Sequence, residues 1–205
     1  WLRHREPRWA DLSIIHRLDK ETSGLLVFGK TAIANRALSG QFENRLVRKS
    51  YLLVTDRSVQ FRTFTARSAL ARIGARYASR PHGEPAETQF EFLRKTELGN
   101  LILARPVTGR THQIRVHASE NGFPILGDTL YEGRSFHRVC LHAFELRFKH
   151  PESGEDLVFS AEPDFTRDVS HGLREAVVDQ RDTDSFRLIH GASDGWSGWY
   201  VEKLD

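Results

Sequence analysis

Asp19 lies between Arg17 and Lys20 in the stretch HRLDKETSGLL, residues 16–26, one position past the apolar Leu18 and just ahead of the hydrophobic run LLVFGK. A carboxylate close to a guanidinium has its pKa lowered, stays ionised and can act as a nucleophile or a base. An acid that must donate a proton is better served by an apolar pocket. The plainer alternative is a surface aspartate in an exposed ion pair, which contributes roughly 0 to 1 kcal/mol and no chemistry.

A second cluster, TGRTHQIRVH at 108–117, gathers Arg110, His112, Gln113, Arg115 and His117 around the start of an expected helix. Thr111 can cap this helix and Ile114 can enter the core. Arg110 then projects alongside the unpaired N–H groups of the first turn, an end that attracts phosphate or carboxylate. A solvated basic helix start is the alternative. His112 and His117 are five positions apart and fall on different helix faces, and the chain has no His-Glu-x-x-His motif and no pair of cysteines. No metal site is expected from that pattern.

The elements that must position these clusters are mostly strands. LLVFGK (25–30) reads as a buried strand, followed by a helix from Thr31 with Ile33, Ala37 and Phe42 on its apolar side. KSYLLVTD (49–56), FTARSALARI (64–73), ETQFEFLR (87–94) and NLILARP (100–106) have strand-length apolar patterning, with the turn-rich SRPHGEPAE between the second and third. The helix at 112–121 is stopped by Gly122 and Pro124. In RVCLHAFELRFKHP, the residues Cys140, His142, Phe144, Leu146 and Phe148 share one side, and DLVFSAEP (156–163) can pair with that strand across HPESGE. Many strands and two helices predict an α+β fold, a mixed, mostly antiparallel sheet with flanking helices.

Length and composition limit the classes of function. The chain has 205 residues, 39% of them hydrophobic and 28% charged, enough for one sizeable core with a small appendage. No apolar run approaches the roughly 18 residues of a membrane helix, so no membrane partner is expected. The single Cys140 cannot form an internal disulfide, which predicts a reducing compartment, the cytoplasm or an organellar matrix. Behind the formal net charge of +3, the first 50 residues hold ten Lys and Arg against five Asp and Glu, while 179–205 hold three against six. A basic amino-terminal part favours a polyanionic partner.

Taken in order, HRLDKETSGLLVFGKT, KSYLLV, RPVTGRTHQIRVHASENGFPILGDTLYEG and CLHAFELRFKHPESGEDLVFSAEPDF resemble the RluA-type pseudouridine synthases over residues 10–165. The resemblance implies isomerisation of uridine in RNA to pseudouridine, with no cofactor and no metal. Asp19 matches the family's catalytic aspartate, Tyr51 the tyrosine that stacks on the target base, and Arg110 the basic residue that pairs with the aspartate. Arg17 matches the arginine that fills the space left by the extruded nucleotide. Phosphate contacts are expected from Lys20, Arg48, Lys49 and Arg115. RNA is the implied partner, ribosomal RNA favoured over transfer RNA, and a monomer is expected. A catalytically silent RNA-binding module or ribosome assembly factor on the same fold is the alternative. An Asp-dependent hydrolase fits less well, because no second carboxylate stands at a motif position.

Only about 15 residues precede His16, so the sheet is expected to lack some amino-terminal strands. Residues 1–165 are read as the catalytic domain, 166–184 as a linker, and 185–205 as the start of a second, truncated module. There FRLIHGASDGWSGWYVEKLD offers two strand-like pieces and resembles the linker region of rRNA cytosine-5 methyltransferases. No binding of S-adenosylmethionine is expected of this chain.

Overall fold

The computed structural model describes residues 12–166 and 186–191. Strand β1 (Ser13–Ile14) leads through the Asp19 loop into β2 (Ser23–Gly29), helix α1 (Ala32–Glu43) and β3 (Arg48–Thr55). A run of antiparallel strands follows: β4 (Thr63–Ile73), β5 (Arg76–Ser79), β6 (Glu84–Thr96) and β7 (Gly99–Pro106). Helix α2 (Gln113–Glu120) and a short 3-10 turn (Thr129–Tyr131) precede β8 (Leu141–Lys149), β9 (Asp156–Ser160) and β10 (Phe186–Gly191).

The ten strands among the described residues belong to one sheet in the order β1-β2-β8-β3-β7-β6-β4-β5, with β9 beside β8 and β10 beside β2. Every pairing is antiparallel except the short parallel contact of Ser23 and Gly24 with His142 and Ala143. The mixed, mostly antiparallel sheet with few helices is therefore present. β5, which lies between the expected strand at 64–73 and the turn-rich stretch, has no clear sequence signal of its own. β10 runs antiparallel to β2 from Phe186 opposite Gly29 to Gly191 opposite Gly24, so the first strand-like piece of the tail joins this sheet. The second piece and the linker lie outside the described residues.

Burial follows strand position. β6 alternates as a half-buried strand should, with Ala86, Thr88 and Phe90 inward. β2 is buried almost throughout because both of its faces are covered. Leu25 and Val27 pack with Leu38, Val47, Leu146, Phe148 and Phe159, while Phe28 packs with Leu12. Helix α1 thus buries Ala34 and Leu38, with Phe42 against the same cluster. Ile33, expected on that face, is 66% exposed. The buried stripe runs through Ala34, Leu38 and Phe42, four residues apart, and residue 33 lies about a quarter-turn off it, while the Thr31 hydroxyl caps the helix by accepting from the Ala34 N–H at 3.1 Å.

Two local irregularities aim residues at one place. Between Ser50 and Tyr51 the β3–β8 register slips by one residue of β8, leaving Phe144 unpaired with β3, and such bulges redirect neighbouring side chains. Gly24 has φ of +116°, and a Cβ there would overlap the backbone of Ala143. Only glycine permits β2 to approach β8 this closely beside the Asp19 loop. Gly24→Ala should therefore destabilise the fold by about 3 kcal/mol in urea unfolding; a loss under about 1 kcal/mol would show that the approach can relax.

Candidate active site

The Asp19 loop is pinned at both ends. Before it, the His16 Nε2 accepts from the Val27 N–H at 3.2 Å, and the ring stacks on Phe42 at 4.5 Å. Burial, with Lys49 nearby, pulls the His16 pKa down to about 4, so the ring is neutral at physiological pH and serves as an anchor. Behind the loop, the Thr22 N–H closes a turn onto the Asp19 carbonyl at 2.9 Å. Ser23 then lies 2.7 Å from His142 Nδ1, and His142 Nε2 lies 3.0 Å from the Ala161 carbonyl. The only acceptor for His142 Nε2–H in this pair is that carbonyl, so Ser23 donates to Nδ1. Arg138 adds hydrogen bonds to Ser23 and, at 2.7 Å, to Asp164. One buried network thereby ties together the segments around Ser23, His142 and Ala161.

The loop at 108–112 is held from the opposite side by Gln113, which is 4% exposed. Its Oε1 accepts from Thr108 Oγ1 at 2.5 Å and from the Arg110 N–H at 3.0 Å. Its Nε2 donates to the Glu87 carbonyl at 2.8 Å and to Thr88 at 2.9 Å. His112 is forced into the left-handed region, φ 57°, and occupies the N-cap without a side-chain cap bond. Helix α2 consequently begins at Gln113, and Thr111 does not cap it. The turn at His112 delivers that residue's backbone N–H to the Asp19 carboxylate.

This geometry corrects the assignment of the basic partner. Arg110 points away from Asp19, pairing with Glu84 at 2.5 Å and donating to the Pro85 carbonyl at 3.2 Å. The guanidinium that reaches Asp19 is that of Arg115, whose NH1 lies 3.9 Å from Asp19 Oδ2 and 3.0 Å from Glu21 Oε2. Nε and NH2 of the same side chain form a two-pronged pair with Asp128 at 2.7 and 2.8 Å. Arg115 side-chain exposure is 2% and Asp128's is 1%, so Arg115 cannot be the surface phosphate contact expected of it. Asp128 is set by a tight turn in which Gly127 has φ of +88° and no room for a Cβ against the Arg138 carbonyl.

The electrostatics also depart from expectation. The pKa of Asp19 is raised, because burial outweighs the opposing pull of His112 and Arg115 and Glu21 adds repulsion. Tyr51, partly buried, has its phenol pushed upward by burial and by Asp19, so it stays neutral. Burial also lowers the ammonium pKa of Lys49, and a Cβ on Gly109 would stand 3.3 Å from its Nζ, which places this amine at the edge of the same loop. Arg17, Lys20 and Arg48 are exposed and make no ion pair with another described residue. Asp19, Tyr51, His112 and Arg115 are thus drawn into one neighbourhood, and Arg110 is left on its rim.

Glu21, Asp128 and Tyr131 complete that neighbourhood and carry no signal in sequence spacing. Asp128 and Tyr131 lie in GDTLYEG, which is recognisable as a motif but silent about its partners. Among the described residues no group of three or more His, Cys, Asp or Glu could hold a metal ion, and no helix is long and apolar enough to cross a membrane.

Residues 3–120 match the family described as RNA pseudouridylate synthase. The chain is 35% identical over 187 residues to the ribosomal large subunit pseudouridine synthase C of Vibrio parahaemolyticus, a match covering 85% of this chain and 59% of that protein. It is 38% identical over 165 residues to the ribosomal large subunit pseudouridine synthase D of Zymomonas mobilis, covering 73% of this chain and 52% of that protein. The chain thus spans a little over half the length of these two relatives. Among solved structures, human RNA Pseudouridylate Synthase Domain Containing 1 superposes with a TM-score of 0.68 at 31% identity, covering 80% of this chain and 72% of that one.

Removing the Arg115 side chain strands Asp128, a carboxylate with almost no access to water. Arg115→Ala is therefore expected to cost about 3 to 5 kcal/mol in denaturant unfolding, far more than an exposed pair would. A loss below about 1 kcal/mol would show that Asp128 is solvated after all.

Proposed function

The chain belongs to the RNA pseudouridylate synthase family, and from that premise we propose that it isomerises uridines in structured RNA, ribosomal RNA in preference to transfer RNA, to pseudouridine. The observation that carries this reading is a partly buried carboxylate, Asp19, set beside the Arg115 guanidinium and the His112 backbone N–H with Tyr51 close by. In the reaction the N1–C1′ bond breaks, the uracil turns while bound, and a C5–C1′ bond forms; the proton on C5 is lost and N1 regains one. Atoms balance without a co-reactant. Asp19 either attacks C1′ or removes the C2′ proton, and both routes need it ionised.

Extruding a nucleotide from its stack costs a few kcal/mol. Stacking on an aromatic ring returns about 1 to 3 kcal/mol per base. Tyr51 supplies that ring, and Arg17, exposed beside the Asp19 loop, fills the gap left in the RNA. Lys20, Arg48 and Lys49 take phosphates, which position the RNA without reading its sequence. The relatives' description as ribosomal large subunit enzymes supports the preference for ribosomal RNA. Residues 1–165 form the catalytic domain in this reading. Residues 185–205 begin a second module, with the methyltransferase-like pattern, whose first strand is shared with the synthase sheet.

The test is incubation of the protein with unmodified ribosomal and transfer RNA, followed by mass-spectrometric mapping of pseudouridine. New pseudouridine at defined positions is expected, Asp19→Ala should reduce it at least 1,000-fold, and RNA affinity should change by less than about threefold. Turnover by Asp19→Ala at the wild-type rate would dispose of the mechanism. The pH profile supplies a separate check. Because the folded-state pKa of Asp19 is raised, kcat/KM should fall as pH drops through a value above that of an ordinary aspartate. Stability runs the opposite way: a raised carboxyl pKa favours the folded state at low pH, and that contribution is lost as pH rises from the ordinary aspartate value through the raised one. Asp19→Asn should consequently leave the protein no less stable than wild type at pH 7, and a marked loss of melting temperature there would contradict the direction of the shift.

A further inference from the structure

His112 has a role to fill that the mechanism above does not use. Its Nδ1 lies 2.7 Å from the hydroxyl of Tyr131, and that hydroxyl already accepts the Tyr77 backbone N–H at 2.8 Å. Burial raises the Tyr131 phenol pKa, so the hydroxyl keeps its proton, and the acceptor it faces is Nδ1. A neutral imidazole that accepts at Nδ1 must carry its own proton on Nε2. The ring is further fenced by Tyr77 and Tyr131, each edge-on at 5.5 and 5.6 Å. Charged neighbours that reach it are Asp19, Arg115, Glu21 and Asp128, and burial lowers its pKa in their presence, so the neutral form persists at physiological pH. Nε2 has no hydrogen-bond partner among the described residues. The ring is only partly exposed, and the backbone N–H of the same residue is bonded to the Asp19 carboxylate.

Resting on the uridine-isomerase reading, we propose that His112 is a catalytic residue: its Nε2–H, locked in place by Tyr131, donates a hydrogen bond to O2 of the target uracil. When the N1–C1′ bond breaks, the electron pair leaves with the uracil and negative charge spreads over N1 and O2. O2 is the base oxygen closest to C1′, where Asp19 acts, so a fixed donor attached to the residue that bonds Asp19 is suited to that charge. A preorganised donor aimed at developing charge accelerates a reaction by about 100- to 1,000-fold. Tyr131 acts as a positioning residue, since its hydroxyl selects the tautomer and its ring lies 5.0 Å beneath the Arg115 guanidinium.

Two measurements on the whole chain test this. Nitrogen-15 NMR of the free protein at pH 7 to 8 should show His112 protonated on Nε2 and bare on Nδ1, with both tautomers populated in Tyr131→Phe; a wild-type ring protonated on Nδ1 would overturn the proposal. Single-turnover kinetics come second, on RNA carrying uridine, 2-thiouridine or 2′-deoxyuridine at the target. His112→Asn, in which asparagine tolerates the left-handed backbone and keeps the N–H to Asp19, should slow isomerisation by about 100-fold at unchanged RNA affinity. Tyr131→Phe should slow it about tenfold. 2-Thiouridine, a weaker acceptor, should slow the wild type markedly more than it slows His112→Asn, whereas 2′-deoxyuridine should slow both alike. A His112→Asn rate within threefold of wild type, or coupling to the 2′-hydroxyl in place of O2, overturns the donor role and leaves the isomerase reading standing. Absence of pseudouridine from the wild type overturns both.

Discussion

The two-pronged pair of Arg115 and Asp128 is the constraint on which the site depends. With almost no exposure on either partner, their separation would leave an uncompensated charge in the interior, so the guanidinium plane is fixed before any substrate arrives. Fixing two nitrogens on Asp128 leaves NH1 to serve Asp19 and Glu21. If Asp19 had Arg115 to itself, the two would close into a tight pair and the carboxylate would be a weak base. Sharing the cation among three acids leaves Asp19 at 3.9 Å, desolvated and only partly compensated, which is why its pKa rises. A more basic carboxylate, once ionised, suits either attack on carbon or removal of a proton.

The sheet brings these groups together from distant parts of the chain. Asp19 follows β1, Tyr51 lies on β3, His112 and Arg115 begin α2, and Asp128 and Tyr131 belong to the turn before β8. Their relative positions rest on backbone features that tolerate little variation: the close approach of β2 to β8 at Gly24, the bulge opposite Tyr51, and the left-handed turn at His112. The polar network of Ser23, Arg138, His142 and Ala161 then fixes the Asp19 loop to the far end of the chain's core. Such networks specify one arrangement because each member left unpaired would be costly to bury.

Much of this was legible in the sequence, and the failures have physical reasons. Alternation in ETQFEFLR and the apolar run LLVFGK identified strands because side-chain period and burial coincide there. The two charged clusters were visible because an acid between cations, and several basic residues at a helix start, are unusual compositions. Which arginine meets Asp19 was not legible. Arg110 and Arg115 are five residues apart, and a left-handed residue at His112 both delays the helix by one position and swings Arg110 toward Glu84. No pattern of residue types announces a positive φ at a histidine. The direction of the Asp19 shift escaped for a related reason: flanking Arg17 and Lys20 suggested stabilisation, yet both point to solvent while burial acts on the carboxylate. Asp128 and Tyr131 contact Arg115 only through tertiary structure, which spacing along the chain does not encode.

In the proposed RNA reaction, two populations of cation would divide the work of handling a polyanion. Exposed Arg17, Lys20 and Arg48 act through water, where charges separated by more than about 8 Å are screened at physiological salt. Buried Arg115 acts at short range in a medium that salt barely enters. Ionic strength would thus bear on capture of the proposed RNA substrate far more than on the state of Asp19. In that reading the separation would also let one acid stand beside a phosphate chain: the exposed cations would offset the repulsion of approach, and the buried one, already committed to Asp128, would not be drawn away by phosphate.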